Sequence, residues 1–129
     1  MNQLTNHYAR FLEERFNWTY FLTARSPYRI NTMTPINWAN RILKHKKVST
    51  VFYLVERDKG DWMNKHVHML LETSAKMSYQ ETSTAFGNIA IGDYDLITDR
   101  TAVANYIAKW IGGDCEYDLL INSGSTCFH

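Results

Sequence analysis

The chain has 129 residues, 45% hydrophobic and 14% aromatic, and a net charge of +1. That length and apolar content predict one folded domain, residues 1–129, and exclude a disordered polar chain. The near-neutral charge supplies no overall basic field of the kind that marks most nucleic-acid binders, and no apolar run approaches a membrane span.

Met1 to Ala9 is polar and lacks the apolar core of a secretory signal. Leu4, Tyr8, Phe11, Leu12 and Phe16 recur at helical spacing and predict an amphipathic helix. Trp18 to Thr23 is aromatic and β-branched and reads as a strand, broken by Ser26-Pro27. A loop holds Asn31. Thr34-Pro35 then reads as a helix start, with Thr34 as N-cap. Ile36, Ala39, Ile42 and Leu43 form its buried stripe, to about Lys46. Arg41, Lys44, Lys46 and Lys47, with His45, make a basic stretch that reads equally well as a solvated helix face; Arg25 and Arg29 flank another segment.

Ser49 to Glu56 is the clearest strand. Asp58 to Asn64 is rich in turn residues, and Lys65 to Glu72 is the next strand, so the pair predicts an antiparallel hairpin. Ser78 to Asn88 predicts a helix weakened by Gly87, and Asp93 to Ile97 a short strand. Asp99-Arg100-Thr101 leads into a helix from Ala102 to Ile111, stopped by Gly112-Gly113. Glu116 to Ile121 predicts a last strand, and the tail to His129 is irregular. Cys115 and Cys127 show neither metal-ligand spacing nor a disulfide framework, so reduced thiols in a soluble cytoplasmic protein are expected. The element order predicts an α+β fold. Its core is ferredoxin-like (RRM-like), a mostly antiparallel sheet of about five strands with packed helices.

His66-Val67-His68 carries the strongest chemical signal. On a strand, alternate side chains share a face, so both imidazoles project together while Val67 faces the other way. Phe52, Leu54 and Glu56 share a face of the partner strand, and pairing can bring Glu56 beside the histidines. Two imidazoles and one carboxylate leave open positions on a metal, as a catalytic ion requires. Ligand type alone permits zinc or a softer metal. Asp58 and Glu72 are rival carboxylates of the same parity, and two polar tips on a wet strand face are the structural alternative. Downstream, Tyr106 and Lys109 lie three residues apart on one helical face. A phenol with a reference pKa of about 10 needs a nearby cation or metal to act as a nucleophile. From helix position alone, a core tyrosine and a solvated lysine fit as well.

Phe21-Leu22-Thr23, then Val55-Glu56-Arg57 ahead of His66-Val67-His68-Met69-Leu70-Leu71, then Tyr106-Ile107-Ala108-Lys109 resemble the three ordered motifs of the HUH endonucleases. Within that group the likeness is to rolling-circle replication initiators of small phages, viruses and plasmids, and it spans positions 21 to 109. The resemblance implies His66 and His68 as metal ligands, Glu56 as the acidic third ligand, and Tyr106 as the nucleophile. Lys109 would help position the nucleophile or the DNA, and Thr23 falls in the first motif. It implies Mg²⁺ or Mn²⁺ as cofactor and a 5′-phosphotyrosine link with a free 3′-hydroxyl as product, in a reaction that can run backwards to rejoin ends. The implied substrate is single-stranded DNA or a duplex origin extruded as a hairpin, with Thr23, Arg25 and Tyr28 helping to hold it. A homodimer and host or viral replication proteins are compatible partners.

The chain departs from the family in carrying one motif tyrosine, since Asn105 cannot substitute for a second. It also holds no phosphate-binding glycine loop of a helicase. A single-tyrosine insertion-sequence transposase shares His-x-His. From another class, a non-catalytic RNA-recognition module shares the element order, but its glycine-aromatic motif is missing here.

Overall fold

The computed structural model describes residues 3–25, 31, 33–58, 61–87, 89–103, 105 and 116–122, and for 3–6, 8–9, 56–58 and 61–65 it describes the backbone. Tyr28, Tyr106, Lys109 and both cysteines lie outside the described residues. In chain order come α1 (Gln3–Arg15), β1 (Tyr20–Arg25), α2 (Met33–Leu43), β2 (Val48–Asp58), β3 (Asp61–Thr73), α3 (Tyr79–Phe86), β4 (Ala90–Leu96) and β5 (Glu116–Ile121). The strands form one five-stranded sheet in the order β4-β1-β3-β2-β5, with every neighbouring pair antiparallel. The first four strands have the ferredoxin-like order, and β5 extends the sheet beyond β2. None of the described helices is long and apolar enough to cross a membrane.

Strand alternation sorts the side chains into two apolar clusters. Leu22 and Ala24 of β1, Val51, Tyr53 and Val55 of β2, and Val67, Met69 and Leu71 of β3 face one way. The crossover helices α2 and α3 cover them with Trp38, Ala39, Ile42, Leu43 and Phe86. Phe52, Leu54 and Leu70 face the other way, beneath Leu12 of α1 and Trp18. Burial of large side chains on both faces is the main stabilising term, at about 1.5–3 kcal/mol for each fully buried aliphatic or Phe. His66 and His68 have the parity of Leu70, so they share the α1 face.

Local signals set several element ends. Ser78 caps α3, its hydroxyl accepting from the Glu81 N–H at 3.0 Å. Gly87 ends that helix at φ 83°, a conformation that costs glycine nothing. The start of α2 differs from the expected Thr34 cap. The Asn31 carboxamide accepts from the N–H groups of Met33 (2.9 Å) and Thr34 (3.1 Å), while the Thr34 hydroxyl accepts from the Asn31 N–H at 3.1 Å. This reciprocal capping box satisfies three donors at once, with Thr34 in the place usually held by Glu or Gln. Pro35 therefore sits later in the first turn than expected.

The basic stretch is largely structural. The Arg41 guanidinium donates to the Phe86 carbonyl at 2.8 Å, and the Lys47 ammonium donates to the Lys76 carbonyl and pairs with Glu81 at 2.8 Å.

Two strands also differ from expectation. β1 begins at Tyr20 because Trp18 turns into the core, its indole N–H donating to the Leu12 carbonyl at 2.7 Å. The hairpin ladder runs out to Asp58↔Asp61, so most of the segment read as turn is extended chain. Residues 61–64 belong to β3, and the register shifts there between Arg57 and Asp58.

Glu72 fastens the far end of the histidine face. Its carboxylate accepts from the Ser49 and Thr50 hydroxyls, both at 2.7 Å, and from the Asn17 N–H at 2.8 Å. Burial pushes its pKa up, but these hydrogen bonds outweigh burial and hold it below the ordinary carboxylate value. A lowered folded pKa stabilises the fold above the unfolded pKa, and that contribution is lost as pH falls through the folded value. Glu72→Ala is expected to destabilise by about 1–3 kcal/mol, nearer the low end because the group is half-buried, and to flatten the acid limb of the stability–pH curve. Chemical denaturation from pH 3 to 7 measures both; an unchanged midpoint would deny Glu72 this role.

Candidate functional site

The register aligns the residues of interest in rows across the sheet. Arg25 of β1, His66 of β3 and Glu56 of β2 are successive Cα partners. The next row holds Thr23, His68, Leu54 and Tyr117 of β5, and the one after it Phe21, Leu70, Phe52 and Leu119. Directly opposed residues of an antiparallel ladder share a face, so the backbone puts Glu56 on the face of both histidines. Glu72, the rival carboxylate, is four residues from His68 along an extended strand, roughly 13 Å away, and is engaged by three donors. Asp58 lies beyond a register shift that follows Arg57.

Both histidines are buried, with 8% of His66 and 6% of His68 exposed, and the Nδ1 of His66 is sealed from solvent. Buried imidazoles on a central strand are not the polar tips of a wet face. Their ring centroids are 5.2 Å apart and the planes stand at 88°. A metal on one ring nitrogen lies roughly 3.2 Å from the ring centre, given M–N of about 2.1 Å. Two ligands at about 90–110° then place their centroids about 4.5–5.3 Å apart, so the spacing fits one shared ion.

The Thr23 hydroxyl is 3.2 Å from the Nδ1 of His68, and Phe21 stacks on the same ring at 5.7 Å and 21°. With Nδ1 protonated and donating to Thr23, Nε2 keeps the lone pair a metal needs. Among the described residues no three His, Cys, Asp or Glu side chains form a metal-holding group. The Glu56 carboxylate lies outside the described side chains.

Beside His68 opens a cavity of about 300 Å³, lined by Phe21, Thr23, His68, Asp93, Ala102 and Val103. Asp93 was not singled out from the sequence. It enters because β4 pairs with β1 through a bulge: the register shifts between Leu22 and Ala24, so that two residues, Gly92 and Asp93, lie opposite the single Thr23. Ile91 and Tyr94 both pack into the α2/α3 cluster, a spacing of three that simple alternation forbids. The bulge lets both go to that side while Asp93 reaches the histidine face. Two large apolar residues three apart around a glycine were the available signal.

The far wall of the cavity is the start of a helix. Residues 100–103 and 105 are helical. Asp99 caps the turn by accepting from the Ala102 N–H at 3.1 Å, and Arg100 donates to Asn17 at 2.9 Å. Val103 packs on the Leu12–Trp18 cluster. This end of the helix therefore lies on the histidine face.

Most described tyrosines are structural. Tyr20 accepts from the Met77 N–H, Tyr79 donates to the Ile91 carbonyl, and Tyr94 donates to the Met77 carbonyl. Burial pushes the Tyr94 phenol up to about 12; it does the same for Tyr53, where Asp118 and Glu116 add to the effect. Tyr117 has the parity of Leu54 and is 42% exposed. Arg25 is exposed at the end of β1 beside His66. Thr23, expected from the resemblance only as a first-motif residue near DNA, is buried against His68. Compared with protein-family models, curated proteins and solved structures, the chain matches none.

Proposed function

We propose that this chain is a metal-dependent nicking and joining enzyme for single-stranded DNA of the HUH type. It would act in the cytoplasm on a single strand or an extruded hairpin origin and start rolling-circle replication. The observation that carries the reading is the pair of buried imidazoles on the central strand, spaced for one ion, beside a cavity closed by the helix that leads to Tyr106. An RNA-recognition module stacks bases on aromatic residues of an open sheet face. Here Leu12 of α1 and Trp18 pack on that face against Phe52, Leu54 and Leu70, and β3 presents the buried imidazoles of His66 and His68, which favours the enzyme.

In this reading His66, His68 and Glu56 would hold Mg²⁺ or Mn²⁺, which would supply Lewis-acid polarisation of the scissile phosphate. Thr23 and Phe21 fix the His68 ring. Arg25 meets the DNA backbone at the rim of the site. The Tyr106 phenol gives its proton to solvent and its oxygen attacks phosphorus in line. A Tyr106 O–P bond forms, the P–O3′ bond breaks, and the 3′ oxygen takes a proton from water. Lys109 helps to position the nucleophile or the DNA. The phosphotyrosine retains the phosphodiester energy, so a 3′-hydroxyl can attack it and rejoin the strand.

The test is incubation with Mn²⁺ and a mixed pool of single-stranded oligonucleotides, followed by a denaturing gel. A protein–DNA adduct is expected; its absence across the pool, or its full formation in EDTA, would overturn the reading. Thr23→Val keeps the shape and removes the hydroxyl. Mn²⁺ affinity is expected to fall about 10–100-fold, as loss of an outer partner of a ligand histidine usually does. Calorimetric titration measures it, and an unchanged affinity would show that Thr23 does not orient the ring.

A further inference from the structure

The cavity beside His68 holds one feature that phosphate chemistry does not call for. Asp93 brings a carboxylate to its wall, and a carboxylate repels a phosphodiester. That wall is unsuited to DNA backbone and well suited to a base edge, because an ionised carboxylate accepts hydrogen bonds and donates none. The rest of the lining fits the same occupant. Phe21 offers an aromatic surface, Ala102 and Val103 are small and apolar, and Thr23 and His68 are buried residues of the lining. A volume of about 300 Å³ is at the small end for ligand pockets, which run from about 300 to 1,000 Å³. It suits one base rather than a length of strand. The site is also built by a distortion of the sheet: without the bulge opposite Thr23, strict alternation could not bury Ile91 and Tyr94 together while presenting Asp93 to the histidine face.

Resting on the nicking reading above, we propose that this cavity receives the base of a nucleotide next to the scissile phosphate, and that Asp93 selects a base bearing an exocyclic amino group. Guanine suits it best, since one carboxylate accepts from both its N1–H and its amino group; adenine and cytosine each offer an amino donor. Thymine is rejected. Its single N–H lies between two carbonyl oxygens, so a carboxylate oxygen that accepts from it brings the other carboxylate oxygen against a thymine carbonyl, and the two acceptors repel. A hydrogen-bonded base pairing of this kind is worth about 1–3 kcal/mol, or about 5- to 150-fold.

The test separates base selection from cleavage. Wild-type, Asp93→Asn and Asp93→Ala proteins each select from a random single-stranded DNA pool in EDTA, and the bound strands are sequenced. Asp93 is exposed, and the Asn variant keeps its shape, so both variants are expected to fold. Wild type is expected to deplete thymine about tenfold or more at one position relative to its neighbours. Asp93→Asn, whose amide both donates and accepts, should admit thymine there, and Asp93→Ala should remove the preference. Identical base frequencies for all three proteins, or no thymine-depleted position with wild type, would overturn the proposal. Failure of wild type to form an adduct in Mn²⁺ would instead overturn the nicking reading and leave the selection result standing.

Discussion

Tyr106→Phe protein, incubated with Mn²⁺ and single-stranded oligonucleotides, should give no covalent adduct while binding the same strands as wild type does. The substitution removes one hydroxyl, so folding and the DNA surface are preserved and only the nucleophile is lost. The competing tyrosines make this a discriminating result. Tyr20, Tyr79 and Tyr94 are hydrogen-bonded in the structure. Tyr53 and Tyr94 hold their protons up to about 12 through burial, with added negative neighbours at Tyr53. Among the described side chains the rival on the histidine face is Tyr117, which is separated from His68 by Leu54, two strand spacings or roughly 10 Å between backbones. Its ring packs on Phe52 with centroids 6.2 Å apart, toward the row that lies beyond His68 and away from His66. Tyr117→Phe should therefore keep full adduct yield. Adduct formation by Tyr106→Phe protein, with loss in Tyr117→Phe, would move the nucleophile to β5.

His66→Ala and His68→Ala should each abolish the adduct and lower Mn²⁺ affinity by more than the roughly 10–100-fold expected for an outer-shell change. Both side chains are buried, so stability should drop as well, by about 1–2 kcal/mol, within the ordinary range for single substitutions. The loss should be larger for His68, which also gives up its stack on Phe21. Circular dichroism separates folding from metal loss, and His66→Gln gives a polar variant with less cavity. Variants that fold, yet bind Mn²⁺ as tightly as wild type, would show that the two imidazoles are structural.

Much of this was legible in local sequence. Alternation in Ser49–Glu56 and Lys65–Glu72 predicted the hairpin, its parity, and the shared face of Glu56, His66 and His68. The order of strands and helices predicted the ferredoxin-like arrangement, and Ser78 with Gly87 bounded α3. These are properties of a residue and its near neighbours, and period-two or helical spacing carries them without knowledge of the rest of the chain. Local reading went astray where two local signals competed. Thr34-Pro35 looked like a cap, but Asn31 three residues earlier satisfies more donors. The turn residues after Asp58 read as a loop, but β3 already begins at Asp61.

What the sequence determined by itself, then, is the alternation that pairs the histidines and the element order that puts their strand at the centre of the sheet. The tertiary structure decided which groups meet them. Glu72 is removed from candidacy because Asn17, Ser49 and Thr50 converge on it from two other segments. Thr23 becomes the hydrogen-bonding partner of His68, and Asp93 reaches the cavity through a bulge between β4 and β1. Those strands lie about 70 residues apart in the chain, and register between distant strands is set by the packing of both sheet faces at once, which no local pattern encodes.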